Sequence, residues 1–248
     1  MKQLLIYDDI VPLTRHDHGK LSLQKTESFA FARETNAMPL VGGEFPMAAN
    51  DYAIVFTDTD EGIVPAVILG VRNNENMYVD ADGKWNATYV PAFARRYPFA
   101  FATDEKAENF TVMIDPSFPG FNNEGKGDRL FNNDGTNAAF LETTLTFLRE
   151  YQGMFARTQA FGKRLGELGV LDPVEANLPL PSDPQRKLGG FKIVNRDKLK
   201  SLPNKAIADL LRDDELDLIV LHLFSLRNLG RLQEKLAPTP DRIVQQDA

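Results

Sequence analysis

The amino-acid sequence predicts an α+β protein, with an antiparallel, β-rich N-terminal region followed by a long helix and a smaller α/β C-terminal region. Short β-branched and aromatic runs, separated by turn residues, fill the first 130 residues and are typical of antiparallel strands. The hydrophobic period changes near residue 137, where apolar residues begin to recur at helical spacing. The expected regions are 1–136, 137–172 and 173–240, packed together as one compact unit.

The N-terminal region contains five strand candidates. Each is a short apolar run ended by turn residues such as Asp-Gly or Asp-Pro. A short helical turn is expected after Pro46, because proline is tolerated in the first turn of a helix. The candidate strands are Leu21–Leu23, Tyr52–Thr57, Ile63–Val71, Met77–Val79 and Phe110–Ile114.

The middle region predicts one long helix or a broken pair of helices. Apolar residues recur at helical spacing from Phe140 to Leu168. Asn137 is a candidate N-cap, and Gly169 is placed as a C-terminal cap. Gly153 is a point at which the helix could bend or divide, because an interior glycine costs about 1 kcal/mol relative to alanine.

The C-terminal region begins with prolines and a Gly-Gly pair. These residues are expected to break any long regular element between 173 and 190. Beyond them the pattern predicts a strand, two short capped helices, a second strand and a final helix. They are Phe191–Val194, helices capped by Asn195 or Asp197 and by Asn204, Leu216–Leu221 and Ser225–Leu236.

Composition restricts the classes of function. The 248 residues are 43% hydrophobic and 25% charged, as in a folded globular protein. A net charge of −7 argues against nucleic acid, which requires a basic surface. The absence of cysteine excludes disulfides, thiolate catalysis and cysteine-ligated metals. No apolar run approaches the ~18–20 residues of a membrane span or the roughly 7–15 of a signal peptide. We therefore expect a soluble cytoplasmic protein, with signal-less export as the alternative.

The segment Trp85–Phe99 is the candidate ligand-binding segment. It holds the only tryptophan and an arginine pair among tyrosines and phenylalanines. Because arginine stacks on aromatic faces, the segment suits a groove for a planar or anionic ligand, or for a partner segment. The alternative is core packing, in which the arginines stack on rings or pair with an acid such as Glu44 or Asp115. The candidate ligand-binding residues are Trp85, Tyr89, Arg95, Arg96 and Tyr97.

Two histidines flank a carboxylate in Arg15–Gly19. On a strand, His16 and His18 would share a face and could bind one metal. The order His-Asp-His does not fit the usual pattern of a 2-His-1-carboxylate iron site, so a solvated loop is the favoured interpretation. His222 lies in an apolar run and is predicted to be a hydrogen-bonded core residue. No phosphate loop, dinucleotide fingerprint or nucleophile elbow is present, and no cofactor or catalytic residue is expected.

A series of different short motifs extends over roughly residues 10–236. They include Pro39-Leu40 with Glu44-Phe45, Asn76–Asp80, Gly83-Lys84-Trp85, Tyr89-Val90-Pro91 with Arg95–Phe99, Tyr151-Gln152, Gly190-Phe191 and His222 with Ser225-Leu226. With these motifs the sequence resembles the SapC family of bacterial proteins. That family is named for a surface-layer-associated gene and is sometimes labelled a peptide transport component, which conflicts with a chain that lacks a membrane span.

The resemblance implies an accessory role and supplies no catalytic residues. Members are said to occur beside flavin-dependent halogenase-like and cupin-like oxygenase genes, which suggests a modification, uptake or surface-layer pathway. The first hypothesis is therefore a non-catalytic binding protein with an unknown protein or small-molecule partner. The alternatives are a metal-dependent enzyme that uses His16 and His18, and a surface-layer structural component. In the last case the Phe140–Leu168 stripe could also join subunits of a homo-oligomer.

Overall fold

The computed structural model describes residues 5–103, 110–178 and 184–236 and confirms the α+β class. The strands are β1 (Val11–Pro12), β2 (Ser22–Leu23), β3 (Ala37–Pro39), β4 (Ile54–Thr59), β5 (Gly62–Ile68), β6 (Phe99–Thr103), β7 (Phe110–Ile114), β8 (Phe121–Asn122), β9 (Asp128–Arg129), β10 (Leu171–Asn177) and β11 (Lys187–Val194). The helices are α1 (Arg15–His18), α2 (Phe45–Asp51), α3 (Ala92–Arg95), α4 (Ala139–Glu167), α5 (Arg196–Lys200), α6 (Asn204–Arg212), α7 (Glu215–Ser225) and α8 (Asn228–Leu236).

The largest sheet is antiparallel and has the strand order β10-β11-β4-β5-β3. Its centre is the predicted strand pair, in which Ile54 lies opposite Val67 and Thr59 opposite Gly62. Three consecutive residues of β4, Ile54–Phe56, are 0% exposed. Because side chains alternate between the faces of a strand, both faces of the sheet are covered at this point.

Two three-stranded sheets, β1-β7-β6 and β8-β2-β9, complete the β structure that the described residues show. Together with the first half of α4 they enclose a second hydrophobic cluster, which includes Leu23, Phe99, Phe118 and Leu148. The second half of α4 packs on the main core through Phe161 and Leu165. Helix α4 therefore links the two cores.

Helix α4 is continuous over 29 residues and is not divided at Gly153. It ends where Gly169 takes a φ of +66°, as predicted. The predicted N-cap is wrong: Ala138 occupies that position, and the side chain of Asn137 donates instead to Glu142 Oε1 at 2.7 Å. Much of the apolar stripe packs within this chain. Its buried residues are Leu141, Leu145, Leu148, Tyr151, Phe161 and Leu165.

The predicted strand Leu216–Leu221 is wrong, because this run lies within helix α7. The run is short and apolar except for Asp217, and such a run carries no period that separates a strand from a buried helix. The buried positions of α7 are Ile219, His222 and Ser225, three residues apart as one helix face requires. Met77–Val79 is also not a regular strand and forms only an isolated bridge between Val79 and Trp85.

The expected break of regular elements between 173 and 190 is wrong at Pro173 and at Gly189-Gly190, which lie within strands β10 and β11. Leu171–Asn177 forms β10, and Pro173 lies opposite Lys192 of β11. Proline lacks the N–H that a ladder needs, but β10 is the edge strand of its sheet, where proline is tolerated. No helix in the described ranges is long and apolar enough to cross a bilayer.

Candidate functional site

A buried carboxylate fixes the start of α3, the short helix that carries the arginine pair. Glu44 is 3% exposed, and its Oε2 accepts a hydrogen bond from the backbone N–H of Val41 at 3.0 Å. Its Oε1 accepts from the N–H of Ala92 at 2.6 Å and from the Tyr89 hydroxyl at 2.7 Å. Its three bonded partners are neutral donors, and one of them, the N–H of Ala92, lies at the N-terminus of α3, where negative charge is favourable.

Arg95 is exposed, and its guanidinium contacts two aromatic rings. Its guanidinium carbon is 5.6 Å from the ring centre of Tyr89 and 5.4 Å from that of Phe147. Nε donates to the Val90 carbonyl at 3.0 Å, and Nη2 donates to the Tyr89 hydroxyl at 3.1 Å. Arginine has five N–H donors, so these two bonds leave the outer part of the guanidinium available.

Arg96 lies among three buried rings. Its guanidinium carbon is 4.1 Å from the ring centre of Phe93, 5.1 Å from that of Tyr151 and 5.7 Å from that of Tyr7. Its Nε is buried and has no hydrogen-bond partner. Asp115, a predicted internal partner, instead accepts from the backbone N–H groups of Asp8 and Ser117, at 2.8 and 3.0 Å.

Neither guanidinium has a carboxylate within ion-pair distance among the residues that the structure describes. The stacking part of the core-packing interpretation therefore holds for both arginines, and the acid-pairing part does not. An exposed cation that already stacks on rings can still accept an anion, because stacking leaves its in-plane donors free.

A groove with a cavity volume of about 350 Å³ opens beside the arginine pair. Its walls come from three parts of the chain: the segment 23–31, the turn 94–99 and one face of α4, with Phe118 added from a loop. The described lining residues contain three cations, Lys25, Arg95 and Arg96, and no aspartate, glutamate or histidine. The lining phenylalanines are Phe29, Phe31, Phe99, Phe118, Phe140 and Phe147.

Three of the five predicted ligand-binding residues, Arg95, Arg96 and Tyr97, line this groove. The other two lie behind it. Trp85 is 6% exposed, its Nε1 donates to the Tyr52 hydroxyl at 2.7 Å, and its ring packs edge-on against Phe29. Tyr89 supports the Arg95 guanidinium from the side of the core.

Two tyrosine hydroxyls near the arginine pair stay protonated at neutral pH. Burial, and next the charge of Glu44, raise the pKa of Tyr89 to about 12. Burial, and next the charge of Asp115, raise the pKa of Tyr97 to about 12. Both hydroxyls are therefore hydrogen-bond donors and are not bases.

Sequence reasoning missed most of the groove. Lys25, Phe29 and Phe31 lie in a segment that has no motif, although the Phe31 ring stacks on Tyr97 with centroids 4.0 Å apart. Phe140 and Phe147 belong to the predicted apolar stripe of the long helix. Their i, i+7 spacing shows that they share a helix face, but it does not show which neighbour that face meets.

The histidine pair lies in α1, a single helical turn, and not on a strand. Residues two apart on a helix do not face each other, so His16 and His18 lack the geometry on which the metal hypothesis depended. His16 Nδ1 lies 2.7 Å from Asp17 Oδ1 and is exposed. In the described part of the chain, no group of three histidine, aspartate or glutamate side chains lies close enough to hold a metal ion.

His222 is confirmed as a hydrogen-bonded core residue. It is 0% exposed, and its Nε2 accepts from the Val194 N–H at 3.0 Å while Nδ1 lies 2.9 Å from the Ile54 carbonyl. This arrangement assigns the proton to Nδ1. Burial lowers the pKa of His222 to about 4. The neutral ring therefore joins α7 to β11 and β4.

Comparison with known proteins gives one match. A family model described as SapC matches residues 13–232, a range that contains every lining residue named above. No curated protein and no solved structure matches the chain.

Proposed function

The chain belongs to the SapC family, and on this premise we propose that it is a non-catalytic binding protein whose groove holds a small apolar ligand that carries an anionic group. The proposal rests on the environment of Arg95. Its guanidinium is exposed, is supported by two rings and has no carboxylate partner among the described residues. It lies at a groove lined by six phenylalanines.

The energetics favour a ligand with two kinds of surface. A carboxylate on Arg95 would gain charge-assisted hydrogen bonds, which are stronger than neutral ones. An apolar body covering the phenylalanines would gain about 25 cal/mol for each Å² removed from water. A volume of about 350 Å³ falls in the range of small-molecule sites.

The polar groups of the groove support a binding role. Thr143 and Thr144 donate their hydroxyl hydrogens to the carbonyls of Ala139 and Phe140, each at 3.0 Å. The described lining residues include no histidine or carboxylate that would act as a general base for these hydroxyls. A binding protein of this kind would serve a modification, uptake or surface-layer pathway as an accessory that holds or delivers the ligand.

Two fluorescent probes with nearly the same aromatic body test the proposal. 8-Anilinonaphthalene-1-sulfonate is anionic and N-phenyl-1-naphthylamine is neutral. The protein is expected to bind the anion at least tenfold more tightly, because a charged hydrogen bond contributes about 1.5–3 kcal/mol. Arg95→Gln should remove this preference.

Arg157→Gln is the matched control, because Arg157 is an exposed arginine of α4 that is not among the lining residues. This variant should keep the preference within about twofold. Circular dichroism of each variant shows whether it is folded. Equal anion affinity in the folded Arg95→Gln variant and in the parent would overturn the proposed function.

A further inference from the structure

The groove extends along one face of helix α4, and the residues on that face set its length. Phe140, Thr144 and Phe147 all line it, and their i, i+4, i+7 spacing places them on the same side of the helix. A rise of 1.5 Å per residue separates Phe140 from Phe147 by ~10 Å along the axis. The segment Leu23–Phe31 supplies further lining residues. The groove is therefore elongated along α4.

A cation lies at each end of this face. Arg95 stacks on Phe147 with its guanidinium carbon 5.4 Å from the ring centre. Lys25 Nζ lies 5.4 Å from the ring centre of Phe140. The two cations differ in one respect: Lys25 already pairs with Asp128 at 3.1 Å, whereas Arg95 has no described carboxylate partner. The two ends of the groove are therefore electrostatically unequal.

The middle of the groove offers no hydrogen-bond donor from α4. Thr143 and Thr144 use their hydroxyl hydrogens within the helix. Besides the apolar Phe29, Phe31 and Phe118, the lining includes Thr26 and Ser28, whose hydroxyl oxygens accept from the backbone N–H groups of Ser28 and Ala30. The Arg96 guanidinium adds positive charge, but it is surrounded by the rings of Phe93, Tyr151 and Tyr7. One accessible cation followed by a mostly apolar path suits one negative charge followed by an apolar chain.

The geometry points to an unbranched, medium-chain monocarboxylate as the ligand, with its carboxylate on Arg95 and its chain extended along Phe147, Thr144 and Phe140 toward Lys25. This inference rests on the proposed function and specifies its ligand class. Carbon–carbon bonds of ~1.5 Å at angles near 111° advance an extended chain by ~1.25 Å each, so ~10 Å accommodates about eight bonds. The groove is therefore matched to carboxylates of about eight to ten carbons.

The test is a calorimetric titration of straight-chain alkanoates from butanoate to tetradecanoate. Affinity should rise about fourfold with each methylene, the value for full burial, and should stop rising at about ten carbons. Decanoate should bind at least tenfold more tightly than 1-decanol in the parent. Arg95→Gln should abolish that difference, and Arg157→Gln, at an exposed arginine of α4 that is not among the lining residues, should keep it. Decanedioate should bind no more tightly than decanoate, because Lys25 is already paired.

Two threonines of α4 provide a test position and a matched control for the proposed length of the ligand chain. Thr144 and Thr146 both donate to the carbonyl four residues earlier, at 3.0 Å, but only Thr144 is among the lining residues. Thr144→Leu should weaken decanoate about tenfold while hexanoate stays within about threefold. Thr146→Leu should leave both affinities unchanged.

The outcomes separate the two proposals. If alkanoates bind with Arg95 dependence but affinity never levels off, or Thr144→Leu and Thr146→Leu behave alike, the ligand class is wrong and the proposed function stands. The same holds if only aryl or branched carboxylates bind, or if decanedioate binds tenfold more tightly than decanoate. If neither the alkanoates nor the anionic probe shows any dependence on Arg95, both proposals are overturned.

Discussion

The Oε1 atom of Glu44 lies 2.6 Å from the backbone nitrogen of Ala92, the first residue of the helix that carries Arg95. The same oxygen accepts from the Tyr89 hydroxyl, which in turn accepts from Arg95 Nη2. A buried carboxylate therefore sets the position of an exposed arginine through one hydrogen-bonded tyrosine. The core and the groove are joined at this point, which leads to the first two predictions.

Replacing Glu44 should destabilise the protein in proportion to the hydrogen bonds that are lost. Glu44→Gln keeps the shape and an acceptor oxygen but loses the charge, so we expect a cost of about 1–2 kcal/mol. Glu44→Ala leaves buried donors on Val41, Ala92 and Tyr89 without an acceptor, and should cost at least twice as much. Urea denaturation measures both values. Equal stability of the two variants would contradict this account of the carboxylate.

Removing the Tyr89 hydroxyl should affect the groove as well as the core. Tyr89→Phe keeps the ring under Arg95 but breaks the link to Glu44, so we expect a loss of about 1 kcal/mol in unfolding free energy. Binding of the anionic probe should weaken about threefold, less than in Arg95→Gln. The control is Tyr78→Phe, which loses a hydroxyl bond of 2.9 Å to the Asp51 carbonyl, away from the groove. It should lose similar stability without losing probe affinity.

Two glycines of α4 should respond in opposite directions to alanine. A Cβ at Gly162 would lie 1.9 Å from the Ile63 carbonyl oxygen of β5, so Gly162→Ala must push the helix off the sheet and should cost about 2 kcal/mol or more. A Cβ at Gly153 meets no atom within 4 Å, so Gly153→Ala should gain roughly 0.5–1 kcal/mol of helix propensity. Thermal unfolding of the pair decides this, and a stabilised Gly162→Ala would refute the close packing.

His222 should make the protein acid-sensitive over a defined range. The ordinary pKa is 6.5 and burial lowers it to about 4 in the folded protein. Between these values the unfolded chain binds more protons than the folded chain, so stability falls as the pH decreases from 6.5 to 4. Over this range the lowered pKa of His222 should reduce the free energy of unfolding by about 3 kcal/mol.

The comparison of the parent with His222→Gln isolates this contribution, because the carboxylates are common to both proteins. The stability advantage of the parent at pH 7 should shrink by about 3 kcal/mol at pH 4. The matched control is Tyr78→Phe, which removes a hydroxyl bond of 2.9 Å from a tyrosine whose pKa is raised by burial. Its difference in stability from the parent should not change between pH 7 and pH 4. A parent advantage that does not change with pH would show that His222 is not the acid-sensitive group.

Local patterns predicted the elements whose period is unambiguous. The strands β4, β5 and β7 follow from short apolar runs ended by turn residues, and the helix α4 follows from helical spacing. The cap at Gly169 follows from its position after the last apolar residue. Patterns failed where the deciding information was not local. The run Leu216–Leu221 in α7 is apolar except for Asp217, so its pattern does not separate a strand from a helix. Pro173 is acceptable only because β10 lies at a sheet edge.

Only part of the candidate site could likewise be predicted from local sequence. The composition of Trp85–Phe99 drew attention to the arginine pair, and the structure brings Arg95, Arg96 and Tyr97 to the groove. The other walls lie far along the chain, at Lys25–Phe31 and at Phe140–Phe147. Nothing in their spacing indicates that they meet the arginines, because contact between distant segments depends on how the two cores pack.

The sequence by itself determined the fold class, the family resemblance and the presence of an aromatic, arginine-bearing segment, because propensity, period and residue chemistry are properties of neighbouring residues. Only the tertiary structure decided that Glu44 and Asp115 take neutral donors, that Trp85 faces the core, and that Arg95 keeps exposed donors beside a phenylalanine groove. The physical reason is that the partner of a charged side chain is set by which distant segments close around it, and burial and distance enter only with that closure.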